Sequence, residues 1–230
     1  MNHTDQMQPT PTWKGSLSFG WETMKKQFLP LFLIVLVLGI VDFPFPPVYE
    51  YTDSEGVHFF PIWIEILGLA YWFLFVPVIE YSADLLFVQA VRDIRIDVKN
   101  IIIGFKNYLN IVLANLLVTA LIGIAMVALI IPGIIVACRL AFVSYLVMDK
   151  NYDPITAVET SWKMTKGYGW RIFVLGFTSI FIFIAGLALF FVGVLPALMW
   201  IKSAFASLYQ GVLAEVGDDF FVQIEAEKNK

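Results

Sequence analysis

Three charged residues interrupt otherwise apolar stretches of this 230-residue chain: Glu65, Arg139 and Lys202. An ionisable group in hydrocarbon is costly, so it is normally paired or lies on a path for ions, protons or substrate. Glu65 falls six residues past Phe59, Arg139 six past Gly133 and Lys202 seven past Leu195. At the helical rise, all three would lie roughly 9–10 Å below the same membrane surface. The spacing leaves three chemistries open. One is an ion pair between Glu65 and Arg139, with Lys202 competing for the carboxylate or extending to the surface. The others are a carrier site for a proton, lipid or small solute, and a site for lipid headgroups. A relay would call for a second carboxylate near Glu65, and the sequence offers none at that depth. A second group, Glu80, Asp84 and Arg92, is expected at the inner end of its span, stapling neighbouring helices through residues such as Lys106 or Arg171.

Signatures of catalysis are missing. The chain has no HExxH, GxSxG, GxxxxGK or Gly-rich dinucleotide loop. Its two histidines, His3 and His58, are too separated to suggest a metal cluster, and the single cysteine, Cys138, reads as a small buried hydrophobe. No enzyme activity, metal or cofactor is expected.

The elements that must position these charges are membrane spans. The chain is 59% hydrophobic and 15% charged, with a mean hydropathy of +0.77. Soluble domains carry about 25% charged residues. The net charge of −4 and the lack of a basic run argue against nucleic acid. Six spans are expected at about 28–43, 59–79, 109–131, 133–149, 171–194 and 195–215. They form an all-α, polytopic membrane domain over 16–216. Residues 1–15 and 217–230 read as cytoplasmic tails, the first of them disordered. Pro132-Gly133 predicts a tight turn between the third and fourth spans, and Pro61, Pro132 and Pro196 each stand near the start of a returning helix.

Every Lys and Arg except Arg139 and Lys202 falls on one side of this layout. That side, holding both termini, 80–107 and 149–171, is therefore cytoplasmic, which places the chain in a bacterial inner membrane. A short amphipathic cytoplasmic helix precedes each outgoing span, with Gly20-Trp21, Gly104-Phe105 and Ser161-Trp162 in similar places. The pattern predicts three hairpin repeats. The outer segment 42–63 is rich in proline, acids and aromatics. Its Tyr49, Tyr51, Phe59 and Phe60 suit docking to another protein.

EYSADLLFVQAVRD (80–93), IIIGFKNY (101–108), IIPGIIVACRLAF (130–142) and MDKNYDPITAVETSWKMTKGYGWRIF (148–173) together resemble an uncharacterised prokaryotic integral-membrane family of YciC-type proteins. They also resemble the membrane domain attached to some glycerophosphoryl diester phosphodiesterases. The resemblance implies a six-helix membrane domain and carries no reaction, because the phosphodiesterase barrel has no counterpart here. The function expected is non-enzymatic: an accessory or scaffold subunit of a larger membrane complex, in export or envelope biogenesis, in contact with lipids and other membrane proteins. The alternative is a carrier for lipid or small solute using Glu65, Arg139 and Lys202.

Overall fold

The computed structural model describes residues 9–42, 51–53, 56–58, 62–189 and 193–228. Helix α1 (Trp13–Lys26) begins where the Thr12 hydroxyl accepts from Gly15 N at 3.2 Å, so the cap is Thr12 and the helix starts inside the expected tail. At Gln27 the chain bends by 101° into α2 (Phe28–Asp42). The outer segment holds a minimal antiparallel hairpin, β1 (Tyr51–Asp53) and β2 (Gly56–His58), pairing Tyr51 with His58. Apart from this pair, the described residues are helical or connecting.

The second candidate span is a broken helix. It comprises α3 (Ile62–Ala70), a π-helical turn (Tyr71–Phe75) and α4 (Val76–Val91). Its apolar part, Ile66–Val91, ends well beyond the expected residue 79. Glu80 and Asp84 therefore lie within the span, and Arg92 caps it. The reason is burial. Thirteen of the sixteen α4 residues are buried, so protein lines the helix where a lipid-facing helix would need unbroken apolarity.

A 3₁₀ helix (Val98–Asn107) leads into α5 (Tyr108–Ala128). The turn after α5 is one extended residue, Leu129 (φ −165°, ψ 145°), and α6 (Ile130–Arg139) starts directly after it. The expected turn at Pro132-Gly133 is thus displaced by three residues. Pro132 sits in the first turn of α6, where its missing N–H has no helical partner to lose. Gly133 serves close packing instead: a Cβ there would stand 2.5 Å from the Met126 side chain across the turn. A second break at 140–142 separates α6 from α7 (Val143–Asp149). Asp153 then caps α8 (Pro154–Met164) through Thr156 N at 3.2 Å, with Pro154 at the first helical position.

Helices α9 (Gly169–Ala188) and α10 (Val194–Val216) meet through Gly186 and Gly193, and the closing segment is helical as α11 (Asp218–Lys228). Its Phe221 and Ile224 are buried, and Lys150 Nζ lies 4.7 Å from the Phe221 ring centroid.

The core runs through α2, α4, α7 and α10, with Leu31, Ile34, Phe87, Leu146, Met199 and Tyr209 all excluded from solvent. Helices α5 and α9 turn much of their apolar surface outward, through residues such as Leu113, Ile124, Phe177 and Ile184. Patches of that extent mark contact with lipid or partners. Four helical stretches among the described residues are long and apolar enough to cross a membrane, and the bent α1–α2 pair would be a fifth. This is the make-up of a multi-pass membrane protein. Helix α10, expected as the sixth span, has 23 residues but lies among other helices with ten of them buried, and it is not among those stretches.

Candidate functional site

The C-terminal ends of α4, α7 and α10 converge on one polar cluster. Arg92, at the C-terminal cap of α4, meets Asp149 on α7 with both terminal guanidinium nitrogens, Nη1 to Oδ1 at 2.5 Å and Nη2 to Oδ2 at 2.7 Å. Its Nε donates to Gln210 Oε1 on α10 at 2.9 Å. The Tyr209 hydroxyl donates to Asp149 Oδ2 at 3.0 Å. The Tyr209 ring stacks on Tyr145 at 4.9 Å and meets the edge of Phe142 at 5.5 Å. Burial disfavours the Arg92 charge, but the hydrogen bonds and field of Asp149 outweigh it, so its pKa lies above the usual arginine value. Two-pronged arginine–carboxylate geometry of this kind is directional and strong.

About two turns further along both helices, Lys202 on α10 donates to Asp84 Oδ1 on α4 at 2.8 Å. The spacings from Asp84 to Arg92 and from Lys202 to Gln210 are equal, so α4 and α10 run parallel through both pairs. Glu80 and Asp42 act on the same ammonium at longer range. Asp84 is therefore the partner of Lys202, in place of the expected Lys106 and Arg171. Arg171 donates to the Pro11 carbonyl at 2.8 Å and lies 4.0 Å from Glu215.

Arg139 has different neighbours. It is the last residue of α6, and its guanidinium carbon lies 5.9 Å from the Trp162 ring centroid on α8. Its carbonyl accepts from Ser161 Oγ at 2.7 Å and Thr165 Oγ1 at 3.2 Å, fastening α8 beneath the break between α6 and α7. Its Nη1 is buried with no hydrogen-bond partner among the described residues. Beside it, a groove of about 390 Å³ runs between α6 and α9, lined by Ile131, Ile134, Ile135, Cys138, Gly169, Trp170 and Phe173 as well as Arg139.

The three charges expected at one depth are thus divided. Lys202 pairs with Asp84, and Arg139 faces Trp162 and the groove. Glu65 lies on α3, with its side chain outside the described residues. In the expected docking loop, Tyr49, Phe59 and Phe60 lie outside the described residues, and only the strand pairing of Tyr51 is described.

The segments that lead into α2, α5 and α9 each pack through the small residue noted in the sequence. A Cβ on Gly20 would stand 2.6 Å from Ala204 N, so α1 lies backbone to backbone on α10. Nearby, Trp200 Nε1 donates to the Leu17 carbonyl at 2.8 Å. Gly104 N donates to Ser82 Oγ at 2.9 Å, and a Cβ at Gly104 would stand 2.6 Å from the Val78 carbonyl oxygen.

Asp149, Tyr209 and Gln210 went unrecognised as site residues in the sequence. The available signal was Asp149 itself, the first acid after the apolar run containing Arg139. No group of His, Cys, Asp and Glu among the described residues could hold a metal ion. No family model, curated protein or solved structure matches the chain.

Proposed function

We propose that the chain is a non-enzymatic subunit of a larger inner-membrane complex, with six spans arranged as three hairpins. In this reading α10 is the sixth span. Its polar residues are tolerated because Asp84, Asp149 and Arg92 face them inside the bundle. Each hairpin is introduced by a cytoplasmic amphipathic helix: α1, the 3₁₀ helix and α8. The contacts of Gly20 with α10, Gly104 with α4 and Ser161 with the end of α6 support such a repeat, since each joins an introducing segment to a returning helix. Both termini are cytoplasmic.

The observation that carries the scaffold reading is the four-residue network Arg92–Asp149–Tyr209–Gln210. It consumes its own charges and locks three helices together, which favours rigidity over the opening and closing that a carrier needs. The complementary docking surface would be the outer segment 42–63. Purification in a mild detergent tests the proposal. A stoichiometric membrane partner that dissociates when 43–60 is replaced by a Gly/Ser linker is the expected result. A chain that purifies alone and moves lipid or solute across proteoliposomes would overturn it.

A further inference from the structure

The groove between α6 and α9 carries features that the polar network does not use. Its walls are apolar along Ile131, Ile134, Ile135 and Phe173, and one end is cationic. There Arg139 has no carboxylate partner, and its buried Nη1 no acceptor, among the described residues. A buried donor left unpaired costs free energy and is uncommon in folded proteins. The Trp162 ring covers the guanidinium but supplies no acceptor oxygen.

The same end is formed by the start of α9. Gly169 is its first residue, Tyr168 provides no side-chain cap, and open space surrounds the position where a Gly169 Cβ would stand. First-turn N–H groups and the helix dipole together favour an anion at such a position. Trp162 and Trp170 are 46% and 73% exposed at this end, as aromatic residues at headgroup level are. Along α6, Ile135 and Ile131 follow Arg139 at about 6 and 12 Å by helical rise, the direction in which an acyl chain would leave a headgroup.

We propose that this groove binds one anionic phospholipid. Its phosphate would pair with the positive charge of Arg139 and accept from the N-terminus of α9, and one acyl chain would lie along Ile135, Ile131 and Phe173. Charge complementarity selects this occupant: a neutral hydrocarbon would fill the walls and leave the guanidinium unsatisfied. The inference is independent of the scaffold proposal, because a lipid held here needs neither a protein partner nor transport.

The test measures the unfolding midpoint of the detergent-solubilised full chain against added phosphatidylglycerol, phosphatidylcholine of the same acyl composition, and inorganic phosphate. Phosphatidylglycerol should raise the midpoint saturably, while the other two at equal concentration should not. Arg139→Gln should weaken the apparent affinity by about tenfold or more, as loss of a charged hydrogen bond does. Ile135→Trp, which keeps the charge and fills the groove, should abolish the shift. Should Arg139→Gln fail to fold, Ile135→Trp and retention of one phosphatidylglycerol by the wild type in native mass spectrometry carry the test. Equal shifts from both lipids, a shift reproduced by inorganic phosphate, or a shift unchanged in Ile135→Trp would each overturn the site.

Discussion

At the scale of the residue, the intramembrane charges are held by partners that depth alone does not reveal. Helical rise gives the height of Arg139 and Lys202 along a helix but not the direction each faces, so the sequence suggested a shared carboxylate where the structure separates the two. The Asp149 side chain is 7% exposed and that of Arg92 28%. Removing one member of a buried pair leaves the other uncompensated, whereas apolar replacement of both is often much less costly. Asp149→Leu should therefore destabilise the protein by about 3 kcal/mol, at the lower end for buried pairs because Arg92 keeps some solvent. Arg92→Leu with Asp149→Leu should recover much of that loss. Unfolding in mixed detergent micelles provides the double-mutant cycle, and simple additivity of the two single effects would show that the pair contributes nothing. Lys202→Met should likewise destabilise by stranding Asp84, with Asp84→Leu and Lys202→Met together closer to wild type.

At the scale of the element, glycines separate contacts that matter from those that do not. A Cβ at Gly20 or Gly104 would meet backbone atoms at 2.6 Å, which cannot move aside as a side-chain end can. Gly20→Ala and Gly104→Ala should each lower the thermal midpoint by several degrees. Gly39 and Gly123 have nothing within 4 Å of such a Cβ, so alanine there should be neutral or stabilising by up to about 1 kcal/mol through helix propensity. Equal midpoints in all four variants would show that α1 and the 3₁₀ helix do not dock as closely as described. At the α5–α6 turn, Gly133→Ala meets chiefly the flexible end of Met126 and should cost less than Gly20→Ala. Pro132→Ala should be well tolerated, because Leu129 makes the turn. The existence of most helices was legible from apolar runs, capping residues and prolines, as at Asp153-Pro154. Their ends were less so: burial lets α4 carry Glu80 and Asp84 inside the span, and a rule based on lipid exposure stops at residue 79.

At the scale of the whole molecule, the excess of Lys and Arg on one side sets the proposed orientation. In a Cys138→Ser background, Ser54→Cys should react with an impermeant maleimide in intact spheroplasts, and Asn151→Cys only after permeabilisation. The reverse pattern would invert the protein. The scaffold proposal further demands an interior sealed by its own charge pairs, whereas a carrier must admit water to the level of Asp84 and Lys202. Ala83 and Ser207, on α4 and α10, are both fully excluded from solvent, and so report on that interior. The most direct measurement is the labelling rate of Ala83→Cys and Ser207→Cys by a small hydrophilic thiol reagent in membranes, relative to Asn151→Cys. Protection at both sites, with labelling at least about a hundredfold slower than at the exposed control, as opening of a packed core by about 3 kcal/mol implies, is the predicted result. Labelling of either site at a rate near that of Asn151→Cys would contradict a closed bundle and replace the scaffold with a carrier.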